Sequence, residues 1–397
     1  MSADEITREE FNLNKLIVAV TSVGKVFGLY TSANGKILWS FYLKNTIPFQ
    51  IINNDNNRFN NSLPLFVQRT TAHYPHEPQC VLISKVQVGD KIKTRIFYFN
   101  PISGQPSKDQ RVPGGLIVDY QVKQAFVLSQ MDDQFLKPLI IFDQENVLHV
   151  LPEKLAADLT TKAAKIATIY SVHTHTINNI KQSSLVGYAM KHTDKPLPEL
   201  WRINLEDEKV IALGAKLQND HIHSHGKVLG DRSVLYKYLN PNLIGVVTTG
   251  HDANKISFIN VYLIDTVTGS VVTSFNHKKC KGPVNIVHSE NWFFVSFWVY
   301  FKTNLLKLKF CIFLLKYSYY NLKYRRNEVT SIELFEGTSQ YNSTHFSALN
   351  DIKPITFTKS YIVQKTFDAM QITLTEKGIT TKDIIVACQF GVLIEIP

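Results

Sequence analysis

One unit recurs along this chain: an apolar strand, a polar turn carrying Gly or Asn, and a second apolar strand. It appears as VFGLYTSANGKILWSFYL (Val26–Leu43) and IFYFNPISGQP (Ile96–Pro106). It returns as LIIFDQENVLHVL (Leu139–Leu151), VYLIDTVTGSVVTSF (Val261–Phe275) and IIVACQFGVLIEI (Ile384–Ile396), with a degenerate copy over Val186–Leu205. In each copy apolar and polar residues alternate with period two around turn residues that tolerate positive φ, which predicts a β-hairpin. Copies spaced roughly 40–70 residues apart fit four-stranded blades arranged around an axis, the β-propeller architecture, with further blades too degenerate to read. The alternative is a β-sandwich with ordinary hairpins. Because the hairpins continue along the whole chain, the propeller is the better expectation.

Composition agrees with an all-β fold. The 397 residues are 44% hydrophobic, 11% aromatic and 19% charged, which is globular rather than disordered. The net charge is +10, a value that raises an anionic partner such as nucleic acid or a membrane surface. Four of those charges are lysines 302, 307, 309 and 316 in one unusual segment, which leaves +6 elsewhere. No basic run interleaves with aromatics, so no nucleic-acid partner is expected and the surface reads as basic and solvated. The four cysteines (Cys80, Cys280, Cys311 and Cys388) form no CxxC pair and no disulfide framework. The opening MSADEITREE is acidic and polar, not a signal peptide, and residues 1–10 are expected to be disordered. Taken literally, such an N-terminus belongs to a cytosolic chain.

Three segments interrupt the pattern. Asn53–Ser62 (NNDNNRFNNS) reads as an exposed loop. Lys154–Ile169 (KLAADLTTKAAKIATI) has helical spacing and reads as a short surface helix. The third, Val299–Tyr320, contains no Gly, Pro, Asp, Glu or Ala, yet lysines cut it so that its longest charge-free core is Phe310–Leu315. A membrane span needs about 20 apolar residues, so this is not one. Removing 299–320 joins FFVSFW to NLKYRRNEVTSIELF as strand, turn and strand. The segment is therefore read as an insertion foreign to the fold, such as a retained intron, between propeller blades over 11–298 and blades continuing over 321–397.

Reactive constellations are sparse. His221, His223 and His225 alternate and on a strand would share one face, so they are candidates for zinc or copper, although no acidic partner is fixed by spacing. His173 and His175 repeat the pattern. The acidic pair Asp132–Asp133 and the run Glu206–Asp207–Glu208 fall on polar turns, where carboxylates are solvated rather than tuned for acid–base chemistry. A nucleophile elbow, a P-loop, G-x-G-x-x-G and H-E-x-x-H are all missing from the sequence. Neither a cofactor nor a small-molecule substrate is expected. Two N-glycosylation sequons occur, at Asn60 and at Asn342, the latter after ELFEGTSQY; use of Asn342 would place the domain in a lumenal compartment.

Turns of the type D/N/S-x-x-[TS]-G followed by an aliphatic–Trp strand are similar to the blade motif of quinoprotein-like β-propellers. More specifically, the chain resembles the family of subunit 1 of the endoplasmic reticulum membrane protein complex. The resemblance rests on LWSFYL around Trp39, LFVQRTTAHYPHEPQC (Leu65–Cys80), HIHSHGKVLGDRSVLYKYLNPNL (His221–Leu243) and GPVNIVHSENW (Gly282–Trp292). It continues through RRNEVTSIELFEGTSQYNST (Arg325–Thr344) and FDAMQITLTEKGITTKDI (Phe367–Ile384), in the family's order. It implies a lumenal region of two propellers on one membrane anchor, of which this chain is an incomplete part. It also implies a non-enzymatic scaffold in the endoplasmic reticulum membrane, supporting insertion of tail-anchored and multipass proteins. Partners would be other subunits of the complex, with client membrane proteins or chaperones. The signal peptide and transmembrane helix expected of the family are not in this chain, which reads as a fragment covering less than half of the subunit.

Asp231, Arg232, Tyr236, Asn240, Arg325 and Arg326 are the candidates for interface or loop-fixing residues; Asp231 and Arg232 could pair, and Asn240-Pro241-Asn242 would fix the next strand. Two other classes compete. A quinone-cofactor propeller enzyme would call for adjacent cysteines and a calcium-binding acid, and no two cysteines are neighbours. A cytosolic WD-like interaction module would carry repeated Gly-His and Trp-Asp punctuation, which is lacking.

Overall fold

The computed structural model describes residues 14–50, 61–108, 115–128, 130–155, 169–177, 180–190, 195–217, 220–302, 323–337, 353–374, 381–388 and 391–396. Among these, regular structure is strand apart from 3-10 turns at Thr31–Ala33 and Glu153–Leu155. The all-β expectation holds. The chain divides into two compact units, 1–51 with 58–167 and 188–199, and 52–57 with 168–187 and 200–397.

The first unit carries three antiparallel sheets of three or more strands in chain order. Leu16–Val20, Lys25–Tyr30 and Lys36–Tyr42 form the first. Gly115–Val118, Lys91–Phe99, Gln79–Val88 and Leu65–Arg69 form the second, with Thr46–Ile47 on its far edge. Val122–Val127, Leu139–Asp143 and Leu148–Leu151 form the third. Ile169–Ile177, Ile180–Tyr188 and Glu199–Leu205, in the second unit apart from Tyr188 and Glu199, make the fourth sheet. The fifth runs Glu208–Ala215, Leu243–His251, Ser257–Asp265 and Val271–Lys278. Cys280–Ser289, Trp292–Lys302, Lys323–Gly337 and Ile355–Val363 build the sixth, extended by the hairpin Gly226–Val228 and Val234–Lys237. Phe367–Ile372, Ile384–Cys388 and Val392–Ile396 make the seventh.

Within each unit, successive sheets bury their faces on one another. Val26, Leu82 and Phe99 join the first sheet to the second, and Val81, Ile96, Leu139 and Ile141 join the second to the third. In the second unit, Leu205, Val210, Ile244 and Ile264 lie between the fourth and fifth sheets. Val247, Val261, Phe293 and Ile332 lie between the fifth and sixth, and Val329, Phe367 and Val386 between the sixth and seventh. Each such side chain, taken fully out of water, contributes about 1.5–3 kcal/mol. This serial packing is why a central strand such as Leu243–His251, with the fourth sheet on one face and the sixth on the other, is buried on both faces and loses the alternation of a one-sided strand.

Each unit contains a tryptophan clasp. The Trp39 indole Nε1 donates to the Pro101 carbonyl at 3.0 Å, and Trp201 Nε1 donates to the Thr266 carbonyl at 3.0 Å. The receiving turns are alike. In one, Gly104 N–H donates to Asn100 O at 2.8 Å and Ile102 N–H to Asn100 Oδ1 at 2.9 Å. In the other, Gly269 N–H donates to Asp265 O at 2.8 Å and Val267 N–H to Asp265 Oδ1 at 2.8 Å. Gly104 (φ 70°) and Gly269 (φ 72°) lie on the indole faces. On the preceding strand, Gly28 and Gly187 approach so closely that a Cβ there would stand 2.3 and 2.2 Å from an indole carbon. The turn-then-tryptophan signature thus has a physical purpose: the tryptophan following one sheet's turn docks on the turn of the next sheet.

Some expectations shift. Ile96–Pro106 closes as a short hairpin turn, with Asn100 N–H donating to Gln105 O at 2.8 Å, Ser107 N–H to Tyr98 O at 2.9 Å and Phe99 bridging Pro106, but the strand that pairs along this edge of Lys91–Phe99 is Gly115–Val118. The strand ends where Asn100 turns the chain toward the indole of Trp39. Of Asn53–Ser62, Asn61–Ser62 pairs with Phe49–Gln50, and 53–60 lie outside the described residues. The helix expected over Lys154–Ile169 also falls almost wholly outside them, as do residues 1–10. Of 299–320, the first four residues continue the strand Trp292–Lys302 in unbroken register, ending at Lys302 opposite Lys323; 303–322 lie outside.

Candidate functional site

The His221–Leu243 segment borders the densest charged cluster among the described residues. Asp220 receives the Lys382 ammonium, the Ser289 hydroxyl at 3.0 Å and the Glu290 N–H at 2.9 Å. Glu290 receives Lys237 Nζ at 2.5 Å and the His223 N–H at 2.8 Å, and Lys382 lies 3.2 Å away. Lys382, Asp220 and Glu290 are all buried side chains. Burial pushes the Glu290 carboxyl up, but the Lys237 hydrogen bond, the His223 N–H and the two lysine charges outweigh it, so its pKa lies below the usual value. Lys216 donates to the Asn240 carbonyl at 2.7 Å, and burial lowers its pKa to about 8 against the pull of Asp220 and Glu290. Beside it, His288 stacks on Phe293 at 3.6 Å; burial and then the Lys216 charge hold it neutral. Asp220 and Glu290 are satisfied by Lys382, Lys237 and the neighbouring hydroxyl and N–H donors, so they tie together the 220–223 segment, the turn at Ser289–Asn291 and the entry to the seventh sheet's second strand, Ile384–Cys388.

The histidine triplet does not sit on a strand. Regular pairing begins only at Gly226, and His221, His223 and His225 lie exposed in irregular backbone. The shared-face geometry expected for a metal is therefore not formed. The reason is local: the His223 N–H is taken by Glu290 rather than by a neighbouring strand. Among the described residues no group of three His, Cys, Asp or Glu is placed to hold a metal ion. His173 meets Ser171 Oγ at 3.1 Å, and the His175 side chain lies outside the described residues.

Asp231 does not pair with Arg232. Its Oδ1 accepts the Ser233 N–H at 3.0 Å and hydroxyl at 2.6 Å, which turns the hairpin, while Arg232 takes a left-handed conformation (φ 70°) at the tip. Tyr236 is half-buried and pairs with Gly226 and Gly337. Asn240 is fully buried: its Nδ2 donates to Asp265 Oδ2 at 2.7 Å, and its Oδ1 accepts the Asn242 N–H at 2.8 Å. Arg326 forks onto Glu328, with Nε at 2.6 Å from Oε1. The Arg325 side chain, Asn60 and Asn342 lie outside the described residues.

Glu206 and Asp207 are exposed on a turn as expected, but Glu208 is not a solvated turn acid. It opens a strand and accepts the Thr248 hydroxyl, Asn260 Nδ2 at 2.7 Å and the Tyr262 hydroxyl at 3.0 Å. Burial and this carboxylate together push the Tyr262 phenol up to about 12. Sequence reasoning also missed Asp220, Glu290 and Lys382. Asp220 directly precedes the histidine run, but Lys382 is separated from it by 162 positions and nothing local joins them.

Serially packed antiparallel sheets clasped by tryptophans are the build of a β-propeller protein. The family model for ER membrane protein complex subunit 1, second beta-propeller, matches residues 12–397, and the chain belongs to that family. It is similar to ER membrane protein complex subunit 1 of Xenopus laevis, 36% identical over 403 residues, and of Gallus gallus, 37% identical over 401. Those matches cover 100% of this chain and 36% of each relative. The Schizosaccharomyces pombe protein of the same name is 28% identical over 285 residues, 68% of this chain and 29% of its own length. The chain thus spans about a third of the length of the curated relatives it matches.

Proposed function

We propose that this chain is part of a non-catalytic scaffold subunit of the endoplasmic reticulum membrane protein complex. It holds other subunits on the lumenal side and thereby supports insertion of tail-anchored and multipass proteins. The observation that carries the reading is the pair of tryptophan clasps: each locks one sheet's indole to the next sheet's turn, giving a stiff support. The relatives' shared name supplies the assembly. No helix among the described residues is long and apolar enough to cross a membrane.

The test is affinity purification of the full-length product from membranes, with its partners identified by mass spectrometry. Co-purifying complex subunits are expected, together with slower insertion of a tail-anchored reporter when the protein is depleted. Purification as a lone chain, or unaffected insertion, refutes the reading. Endoglycosidase sensitivity lost on Asn342→Gln is the expected sign of a lumenal face. The foreign character proposed for 299–320 narrows to 303–320, since 299–302 are paired. Transcripts that all retain those codons would rule it out.

A further inference from the structure

Two loops of the first unit rest on buried polar side chains and turn their aromatic residues outward. Thr70–Pro78 follows the strand Leu65–Arg69, and 130–137 precedes Leu139–Asp143. Arg69, only 5% exposed, bridges them: its Nε donates to Glu77 O at 2.7 Å and its Nη1 to Gln134 O at 3.2 Å. Gln68, fully buried, donates to Lys137 O at 3.0 Å and accepts Gln79 Nε2 at 3.0 Å. Asp132 Oδ1 accepts the N–H groups of Gln134 and Leu136 at 2.9 and 2.7 Å. On this base stand Tyr74, 91% exposed, Met131, 47% exposed, and Phe135, 44% exposed. His73 stacks on Phe135 with ring centroids 4.7 Å apart and planes 9° from parallel.

Phe135 is the informative residue. Its φ of 59° is left-handed, which is costly for a bulky side chain, by order of 1–3 kcal/mol. A strained backbone, held by a buried arginine and a buried glutamine, keeps an aromatic ring in water. Core packing does not explain that, because the ring is not in the core. Rigid exposed aromatics of this kind are what a binding partner anchors on. The charge is local too: the two loops carry Glu77, Asp132 and Asp133 against Lys137, on a chain whose net charge is +10. Aromatic faces beside carboxylates fit a cation, above all a guanidinium, which stacks on the ring while its N–H groups meet the acids.

We propose that the Tyr74–Phe135 surface docks a protein partner through a segment presenting an arginine or lysine among apolar side chains. The inference rests on the reading that the protein works inside an assembly. The test uses the full-length protein in its membranes, with the photo-crosslinking amino acid p-benzoylphenylalanine at position 74. After irradiation, the crosslinked peptides are mapped. The expected result is a crosslink to one basic segment of another protein in the complex. Asp133→Lys and Phe135→Gly should each lower its yield by about three- to five-fold, the size of one lost cation–aromatic contact. Phe135→Gly suits the left-handed backbone, so it should keep or raise the melting temperature while removing the ring. Crosslinks only to lipid, to other parts of the same chain, or unchanged by Asp133→Lys overturn the proposal, as does no crosslink while the complex subunits still co-purify. Loss of co-purification in the unsubstituted protein overturns the assembly reading and this inference together.

Discussion

Trp201 is held on three sides: Gly187 beneath, Gly269 above, and the Thr266 carbonyl at its nitrogen. Trp201→Phe keeps most of the apolar contact but leaves that carbonyl without its donor, a loss of about 1–2 kcal/mol. Gly187→Ala drives a methyl to 2.2 Å from the indole and should cost about 1–3 kcal/mol. With Trp201→Ala already in place the clash is gone, so the added alanine should cost almost nothing. Urea unfolding of the single and double variants closes this cycle, and additive costs would show that the close approach is not what makes position 187 glycine. Trp39 and Trp201 were legible from their turn-then-strand setting. Their acceptors, 62 and 65 positions away, were not, because a local pattern names a turn without saying which tryptophan it receives.

At the level of elements, Lys382 fastens the entry to the seventh sheet's second strand, Ile384–Cys388, to the 220–223 segment and to the Ser289–Asn291 turn of the sixth. Lys382→Met leaves Asp220 as an uncompensated buried charge and should cost about 3–5 kcal/mol. Adding Asp220→Asn should recover part of that, and a double variant no better than the single would deny the pairing. The same cluster sets a pH dependence. Glu290 has a lowered folded pKa, so the unfolded chain binds its proton first on acidification. Its contribution is therefore present above its unfolded value near 4.5 and is lost as the pH falls through the lower folded value; Glu290→Gln should flatten that acid limb in pH-dependent melting. Lys216 acts at the other end. Its folded pKa of about 8 lies below the free value of 10.5, so the unfolded chain holds more protons between the two. Stability should rise with pH across that window, and Lys216→Met should remove the rise. The hairpins Leu139–Leu151 and Val261–Phe275 were visible as period-two patterns, whereas the charged cluster was not. Its members are polar residues in ordinary loops until tertiary packing gathers them.

For the whole molecule, the buried cysteines can report how the sheets cooperate. Burial pushes the Cys80 thiol up to about 12, and burial with the nearby Glu328 does the same for Cys280. Only a thiolate reacts with an alkylating probe, so at pH 8 these native sites should be inert. Cys388 is equally enclosed, at 3% exposure, and none of the three is in a disulfide. In a Cys311→Ser background, labelling during a urea titration then measures opening at known places. Cys80 reports the first unit, and Cys280 and Cys388 report the second. The sixth and seventh sheets share one core through Val329, Phe367 and Val386, and the fifth and sixth share another through Val261 and Phe293. Sheets that cannot lose a neighbour without exposing a face should open together, so Cys280 and Cys388 are expected to become reactive at the same urea concentration. If Cys388 is labelled while Cys280 stays closed, the seventh sheet peels away alone, and stiffness does not extend through the second unit.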